Sequence, residues 1–366
     1  MRIMHVSSAR TYGGGERHVV DLCRGLQARG HEVFAALRPT SVWQDRLDFL
    51  PDERKLFVSI RNSFGVLSAM RIAEFARDNK IEIIHAHVAR DYVPVSIACL
   101  AANPAKFILT RHVLFPLKPF NRFALKNLSA AIGVSDAVGK ELRAIFPKEK
   151  VRVVPNGLDI KNFTRRDPEE LRREFREFHS IGPDVPLVGT LGELKELKGQ
   201  RDFVLAAQEI VKTVPECQFV IVGQDNSLDG HFRRELKRLA HVLGLENKFL
   251  WLDWLEDTAP FYSAIDVFSS PSESESFGLA ILEAMARGKP IVATETEGAK
   301  QLLAKCGRLT KINDPVDLAG GIVSVLADPQ AAAEMGERAR GTAAESYSLD
   351  QMLEQTEAVY KYVLSS

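Results

Sequence analysis

The sequence is poor in the residues and runs that mark several common classes of protein. Its 366 residues include only four cysteines, Cys23, Cys99, Cys217 and Cys306. They are widely separated and form no Cys-x-x-Cys pair, which argues against a zinc site or a disulfide framework and favours a reducing compartment. The apolar stretch after Met1 is too short for a signal peptide or a membrane span, so we expect a cytoplasmic protein.

Several ligand-binding motifs are also missing. Neither Gly-Lys-Ser nor Gly-Lys-Thr occurs, which excludes a P-loop, and there is no Asp-x-Asp pair. The run Gly13-Gly14-Gly15 is followed by His18 where a dinucleotide fingerprint needs its third glycine, which weakens the case for NAD. We therefore expect no cofactor, and we expect no nucleic-acid partner.

Length and charge indicate two domains of opposite character. A chain of 366 residues with 45% hydrophobic content is long for one domain and has ample material for a core. The net charge is zero, but residues 1–160 hold 24 Lys and Arg against 15 Asp and Glu, whereas the remainder holds 24 against 33. Either the two halves attract each other, or the basic half meets an anionic partner.

Short β-rich runs alternate with helical stretches along the whole chain, which is typical of parallel α/β sheets. We predict six strands in each half and hence two similar sheets. The first six are at residues 2–7, 32–37, 82–86, 107–111, 130–134 and 151–155. The others are at residues 186–191, 217–222, 249–252, 265–269, 290–294 and 307–311. Residues 156–166, with a glycine followed by a charged run, are the predicted linker.

The segment from Glu275 to Pro290 carries most of the functional information. Its apolar residues recur at helical spacing, and a glycine and a proline end the pattern, so a helix over about 278–287 is predicted. Glu283 lies on the apolar side, and a buried carboxylate needs a hydrogen-bonding partner or a ligand that supplies one.

The start of this predicted helix has free backbone amides. The N–H groups of Phe277, Gly278 and Leu279 would form an anion site there. Phosphate at these amides, with a hydroxyl for each of Glu275 and Glu283, describes a bound sugar nucleotide.

The two glutamates, eight positions apart, resemble the Glu-x7-Glu motif of retaining glycosyltransferases with two Rossmann-like domains (GT-B fold, glycosyltransferase family 4-like). Further segments that look like the family follow in its order along essentially the whole chain. They are residues 13–18 with 29–33, 154–159, 191–199, 219–223 and 264–268.

The resemblance implies an α/β fold with two facing Rossmann-like domains, parallel sheets and a deep interdomain cleft. Residues 1–160 would form the acceptor-side domain, and residues 161–348 would bind the nucleotide-sugar. A last helix, at about 349–366, would cross back onto the first domain.

The resemblance also implies roles for single residues in the second domain. Glu283 would bind the ribose hydroxyls and Glu275 a hydroxyl of the donor sugar. Lys198 and the amides of residues 277–279 would hold the diphosphate. An ordinary exposed lysine is the alternative at position 198.

In the first domain, His112 follows a predicted strand at the end where open α/β sheets bind ligands. The resemblance places it beside the donor sugar, although a lone histidine is often structural. Gly14 and Gly15 would touch the donor phosphate or the acceptor, or else form a plain tight turn. His85 and His87 end another strand, and whether either faces the cleft stays open.

One position departs from the family. Glu193 stands where the family has an arginine that grips the diphosphate, and a carboxylate there repels phosphate. Either a neighbour such as Lys195 substitutes or the loop runs differently.

Basic and aromatic residues alternate after His112. Lys118, Arg122 and Lys126 are spaced by four within residues 115–126. They predict docking on an anionic membrane surface or acceptor lipid, or else the solvated face of an amphipathic helix packed on its own sheet.

The activity implied is metal-independent transfer of a sugar, with retention of configuration, from a nucleotide-sugar. A UDP-sugar is favoured and a GDP-sugar comes next. The acceptor would be a hydroxyl of a glycan or a lipid-linked molecule, as in cell-envelope polysaccharide synthesis, at the inner face of the membrane. The alternatives are a non-catalytic relative that binds nucleotide-sugar and a sugar-nucleotide epimerase.

Overall fold

The chain folds into two compact units in the computed structural model, which describes residues 1–60, 65–102 and 105–366. The N-terminal unit comprises Met1–Gly157 together with Leu349–Ser366. The C-terminal unit comprises Leu158–Ser348. Each unit has a hydrophobic core of its own.

The N-terminal unit is built on a seven-stranded parallel sheet. Its strands are β1 (Arg2–Ser7), β2 (Glu32–Leu37), β3 (Lys55–Phe57), β4 (Ile83–Ala86), β5 (Lys106–Arg111), β6 (Leu128–Gly133) and β7 (Val151–Val153). Its first helices are α1 (Gly14–Ala28), α2 (Val66–Asp78), α3 (Tyr92–Ala101), α4 (Asn121–Ala124) and α5 (Asp136–Arg143). Helices that follow strands in this way produce parallel pairing.

Six of these strands lie where the sequence predicts them, and β3 is an addition. It has three residues at the edge of the sheet, and none of them is buried. So short and exposed a strand leaves no apolar run for the sequence to display.

The C-terminal unit is built on a six-stranded parallel sheet. Its strands are β8 (Leu187–Leu191), β9 (Gln218–Val222), β10 (Phe249–Leu252), β11 (Val267–Ser270), β12 (Ile291–Thr294) and β13 (Arg308–Thr310). Its helices are α6 (Ile160–Phe163), α7 (Pro168–Phe178), α8 (Gln200–Thr213), α9 (His231–Val242), α10 (Ala259–Ala264), α11 (Leu279–Ala286), α12 (Glu297–Leu303), α13 (Pro315–Leu326) and α14 (Pro329–Ser346). All six strands match the prediction.

Each sheet reverses its winding direction at one point. The strand orders are β3-β2-β1-β4-β5-β6-β7 and β10-β9-β8-β11-β12-β13. The chain therefore winds outward in one direction from β1 and β8, and in the other direction from β4 and β11. Open α/β sheets bind ligands beyond the carboxyl ends of the strands at such a switch point.

The last helix, α15 (Leu349–Ser365), belongs to the N-terminal unit. Its buried apolar residues join the core of that unit, and Tyr360 Oη lies 2.7 Å from His85 Nδ1 on β4. At the surface, Glu357 lies 2.8 Å from His31 and 3.4 Å from Arg29. The N-terminal unit is thus completed by residues from the far end of the sequence.

Among all the residues described, no helix has both the length and the apolarity needed to span a membrane.

Candidate active site

The switch point of the C-terminal unit brings two of the predicted site residues together. Lys198 lies in the connection that follows β8, and Glu275 lies in the one that follows β11. The Lys198 Nζ is 2.6 Å from Glu275 Oε2. Both side chains are largely withdrawn from solvent, with 25% and 17% of their surface exposed. A cation and a carboxylate thus meet at the place where this fold binds ligands.

Backbone packing fixes the two connections against each other. Gly199 has a φ of +66°, and a Cβ there would lie 1.9 Å from the carbonyl oxygen of Pro271. On the neighbouring residues, the Glu273 N–H donates to the Leu197 carbonyl at 3.0 Å. Only glycine permits so close an approach in this conformation, so the backbone holds the two connections within reach of the Lys198–Glu275 contact.

The helix α11 begins one residue later and ends one residue earlier than predicted. Its N-cap, Gly278, has a φ of +101° and no side chain to accept hydrogen bonds from the first turn. The amide end of the helix therefore remains suited to an anion. Phe277 is buried, Leu279 is partly exposed, and Glu283 is only 2% exposed, as its place on the apolar side predicts.

Lys195, the candidate substitute for the missing arginine, is paired with Glu193. Its Nζ lies 2.5 Å from Glu193 Oε2, and Asn226 donates to Glu193 Oε1 at 3.0 Å. Burial acts to raise the pKa of Glu193, but the hydrogen bonds from Lys195 and Asn226 outweigh it and lower the pKa. The two charges therefore neutralise each other in a surface pair.

A cavity of about 470 Å³ adjoins this loop. Leu194 pairs with Asp225 in an isolated parallel bridge, so the loop after β8 runs beside the loop after β9. The cavity is lined by Gln224, Asp225, Gly230, Arg233, Asp253 and Trp254. Sequence reasoning missed these residues, although most of them follow directly on strands β9 and β10.

In the N-terminal unit the glycine run and His112 come together. A Cβ on Gly15 would lie 3.7 Å from His112 Cγ, so the first turn of α1 packs on the imidazole ring. Gly14 is exposed at the start of the helix. The predicted residues of this unit thus form one group beyond β1 and β5.

Five histidines meet at the same end of the sheet, where the sequence had singled out three. His5 Nδ1 lies 3.0 Å from His87 Nε2, and His87 Nδ1 lies 3.4 Å from His112 Nε2. His85, beside them, lies 2.7 Å from Thr110 Oγ1. His18 reaches the group from α1, with its ring centre 4.8 Å from that of His112.

Burial dominates the titration of this histidine group. It lowers the pKa of His5 to about 3 and that of His18 to about 4. Burial, and secondly the nearby rings, also lowers the pKa of His85, His87 and His112 well below the ordinary value. All five imidazoles are therefore neutral at pH 7. His5 was missed because it is a single residue inside the apolar run of β1, and His18 was noted only as the residue that interrupts the dinucleotide fingerprint.

The alternative in which residues 115–126 form an amphipathic helix packed on its own sheet is wrong. Only Asn121–Ala124 is helical, because Pro116 and Pro119 interrupt the segment before it. Lys118, Arg122 and Lys126 are all exposed but do not share a helix face. Three exposed aromatic residues accompany them: Phe115, Phe120 and Phe123.

Two family models and several known proteins match this chain. Residues 12–162 match the family model described as Glycosyltransferase Family 4, and residues 172–342 match that of Glycosyl transferases group 1. A lipopolysaccharide core biosynthesis glycosyltransferase from Rhizobium meliloti is 25% identical over 95% of both chains. The N-acetyl-alpha-D-glucosaminyl L-malate synthase of Bacillus anthracis is 27% identical over 96% of this chain and 94% of its own.

Solved structures share the fold. A glycosyltransferase from Rickettsia africae superposes with a TM-score of 0.88 at 25% identity, over 99% of this chain and 98% of its own. The Anabaena protein HepE, in complex with UDP and glucose, superposes with a TM-score of 0.86 at 23% identity, over 99% of both chains.

Proposed function

Because the chain belongs to the GT-B glycosyltransferases with family 4 and group 1 domains, we propose that it is a retaining enzyme that uses a nucleotide-sugar. The acceptor is a hydroxyl of a glycan or of a lipid-linked molecule. The observation that carries the proposal is the Lys198–Glu275 contact beside the uncapped start of α11. A UDP-sugar is the first donor to test, because a neighbour in fold was solved with UDP-glucose.

Different residues of the C-terminal unit bind different parts of the donor. The Lys198 ammonium and the amides of residues 277–279 bind the diphosphate, since both offer donors to anionic oxygens. Glu275 and Glu283 accept hydrogen bonds from hydroxyls, Glu275 from the transferred sugar and Glu283 from the ribose. In the N-terminal unit, His112 positions the sugar, and Gly14 and Gly15 allow a phosphate or the acceptor to approach the backbone.

The chemical step needs no enzymic nucleophile in this proposal. The acceptor oxygen bonds to the anomeric carbon on the face from which the nucleoside diphosphate departs. The bond between that carbon and the phosphate oxygen breaks, and the departing phosphate takes the acceptor proton. Lys198 and the helix amides stabilise the charge that develops on the leaving group. No divalent metal is required, so transfer should continue in EDTA.

Nucleotide binding provides the first test. A nucleotide that binds only the native state raises the midpoint of thermal unfolding. We expect UDP to give the largest shift among UDP, GDP and ADP. Replacing Glu283 with Ala should weaken UDP binding by about 1–3 kcal/mol, or roughly 5–150-fold, because the ribose hydroxyls lose a buried acceptor.

The control for this experiment is Glu297→Ala, an exposed glutamate in the first turn of α12. It should bind UDP as the parent does. Equal dissociation constants for the Glu283→Ala variant and the parent would contradict the ribose assignment.

The segment of residues 115–126 is proposed to dock on an anionic lipid surface. Three exposed cations lie among aromatic side chains that are 64%, 51% and 76% exposed at Phe115, Phe120 and Phe123. Aromatic rings insert at the headgroup level while Lys and Arg contact acidic lipid. Such a surface suits an enzyme whose acceptor is lipid-linked.

Vesicle sedimentation tests this docking. Each basic residue near an anionic surface contributes about 1 kcal/mol, so replacing Lys118, Arg122 and Lys126 with Ala should weaken binding to acidic vesicles roughly a hundredfold. Binding of the parent should also fall as salt rises. The matched control replaces three exposed basic residues elsewhere in the same unit, Lys140, Arg143 and Lys148. If both triple variants lose binding equally, net charge rather than this segment is responsible.

A further inference from the structure

The histidine group of the N-terminal unit contains a set of three side chains with the geometry of a metal site. His18, His87 and His112 each offer a ring nitrogen, and these atoms lie within 4.8 Å of one another. They come from α1, from the residue after β4 and from the residue after β5. Three separate elements therefore hold the ligand atoms in place, as a preorganised site requires.

Of the three nitrogen–nitrogen distances, the one between His87 and His112 suits a tetrahedral ion, and ring rotation on binding brings in His18, whose nitrogen lies within 4.8 Å of the others. His87 Nδ1 and His112 Nε2 are 3.4 Å apart, at the long end of the range for a hydrogen bond. Two nitrogens bound to one zinc at 2.0–2.1 Å in tetrahedral geometry are separated by about 3.3–3.4 Å. The third residue, His18, is 5% exposed; its Nδ1 makes no hydrogen bond of normal geometry among the described residues, although the Asn156 side chain lies near enough to act on its pKa.

A second trio, His5, His85 and His87, is less suitable. His85 already lies 2.7 Å from Tyr360 Oη through Nδ1 and 2.7 Å from Thr110 Oγ1 through Nε2. Binding a metal there would break one of these buried hydrogen bonds. His112, in contrast, is partly exposed and gives an ion a path from solvent.

We propose that His18, His87 and His112 form a binding site for a late first-row transition ion, such as Zn²⁺ or Co²⁺, with its fourth position open to solvent. Imidazole nitrogen suits these ions, whereas Mg²⁺ requires oxygen ligands. The Arg111 charge near His112 opposes a cation, so the affinity should be lower than that of a structural zinc site.

Metal binding at this site would inhibit sugar transfer, an effect that rests on the proposed function of His112. An ion held by His112 withdraws that ring from the donor sugar. Zn²⁺ should therefore inhibit transfer, and a chelator should restore it, while Mg²⁺ has no effect. The proposed metal acts as an inhibitor of an enzyme that does not need a metal.

Absorption spectroscopy with Co²⁺ tests the site without reference to activity. The full chain, without a histidine tag, should bind one Co²⁺ and give the strong visible absorption of a four-coordinate ion. Zn²⁺ should abolish it by displacement, and Mg²⁺ should not. His18→Gln and His112→Gln should each weaken binding by more than the roughly 10–100-fold that follows loss of a partner of a ligand.

The control is the double variant His231→Gln, His241→Gln. These histidines have side chains that are 65% and 74% exposed, and each lies within 4 Å of a glutamate, so they are the rival surface ligands. The control should keep the spectrum. Circular dichroism shows whether His18→Gln folds, and the partly exposed His112 provides the second variant if it does not.

Two results would overturn the site: a spectrum of six-coordinate Co²⁺ only, or loss of the spectrum in the His231, His241 double variant. If Co²⁺ binds as expected but Zn²⁺ leaves transfer unchanged, the metal site stands and the role of His112 in the transfer reaction is wrong.

Discussion

Replacing Lys198 with Ala is expected to lower kcat by about 10²–10³-fold. The ammonium group is held at the switch point by its contact with Glu275, and removing one preorganised donor from a developing oxyanion costs roughly 2.7–4 kcal/mol. The donor KM should change less, because the charge on the leaving phosphate grows during bond cleavage. Steady-state kinetics with the donor identified by thermal shift provide the measurement.

Lys195→Ala is the matched control for this experiment. It removes a lysine from the same loop, but one whose charge is already engaged by Glu193 at the surface. Exposed ion pairs contribute only about 0–1 kcal/mol to folding stability, so the control should fold normally and keep nearly all of its kcat. Thermal unfolding of both variants separates catalysis from folding, since Lys198→Ala leaves Glu275 without its ion partner. Normal turnover in Lys198→Ala, or an equal loss in the control, would place the phosphate contact elsewhere.

Acid is expected to destabilise the N-terminal unit strongly between pH 7.5 and pH 5.5. The pKa values of its five clustered histidines lie below the value of about 6.5 that they have when unfolded. The unfolded state therefore binds more protons below pH 6.5. Each group then removes about 1.4 kcal/mol of stability per pH unit.

One carboxyl group opposes this effect. Asp91 is fully buried and accepts from the Ser8 N–H, and burial raises its pKa to about 7. It therefore favours the folded state as pH falls through 7 toward 4. The stability that this one carboxyl group adds at acid pH does not offset the stability that the five histidines remove. The net effect is a loss of stability at acid pH.

Fluorescence can report on the N-terminal unit alone. Trp43 is buried in its core, and Trp251 and Trp254 are in the other unit. In a Trp251→Phe, Trp254→Phe background, the thermal midpoint reported by Trp43 should fall steeply below pH 6.5. His18→Gln should flatten the dependence, whereas the His231, His241 double variant should leave it unchanged. A midpoint that is constant or rises from pH 7.5 to 5.5 would contradict the assignment.

The sequence predicts the sheets well because their strands are buried on both faces. Apolar runs such as β1 and β9 show this directly, and the helix–strand alternation implies parallel pairing. An edge strand such as β3 gives no such signal. The four-residue spacing of Lys118, Arg122 and Lys126 indicated a helix, but two prolines nearby decide against it. Local patterns are therefore reliable only where no backbone constraint competes with them.

The contacts within the site follow from topology, which the sequence does not display. Lys198 and Glu275 are 77 positions apart and meet only because β8 and β11 are neighbours in the sheet. The histidines likewise lie together because β1, β4 and β5 are consecutive strands in the sheet. His112 could be recognised singly by its place after a strand, whereas His5 lies inside β1 and His18 inside α1. The strand order that brings them together depends on packing between distant segments.

The position of α15 affects how the protein is made. The N-terminal unit takes part of its core from residues that are synthesised after the whole of residues 158–348. At a synthesis rate of 5–20 residues per second, its β-sheet must wait roughly 10–40 s on the ribosome for this helix. During that interval the apolar surface that later packs on Tyr360 is uncovered. The first unit to be translated is thus the last to be completed, and the cell must protect it from aggregation until then.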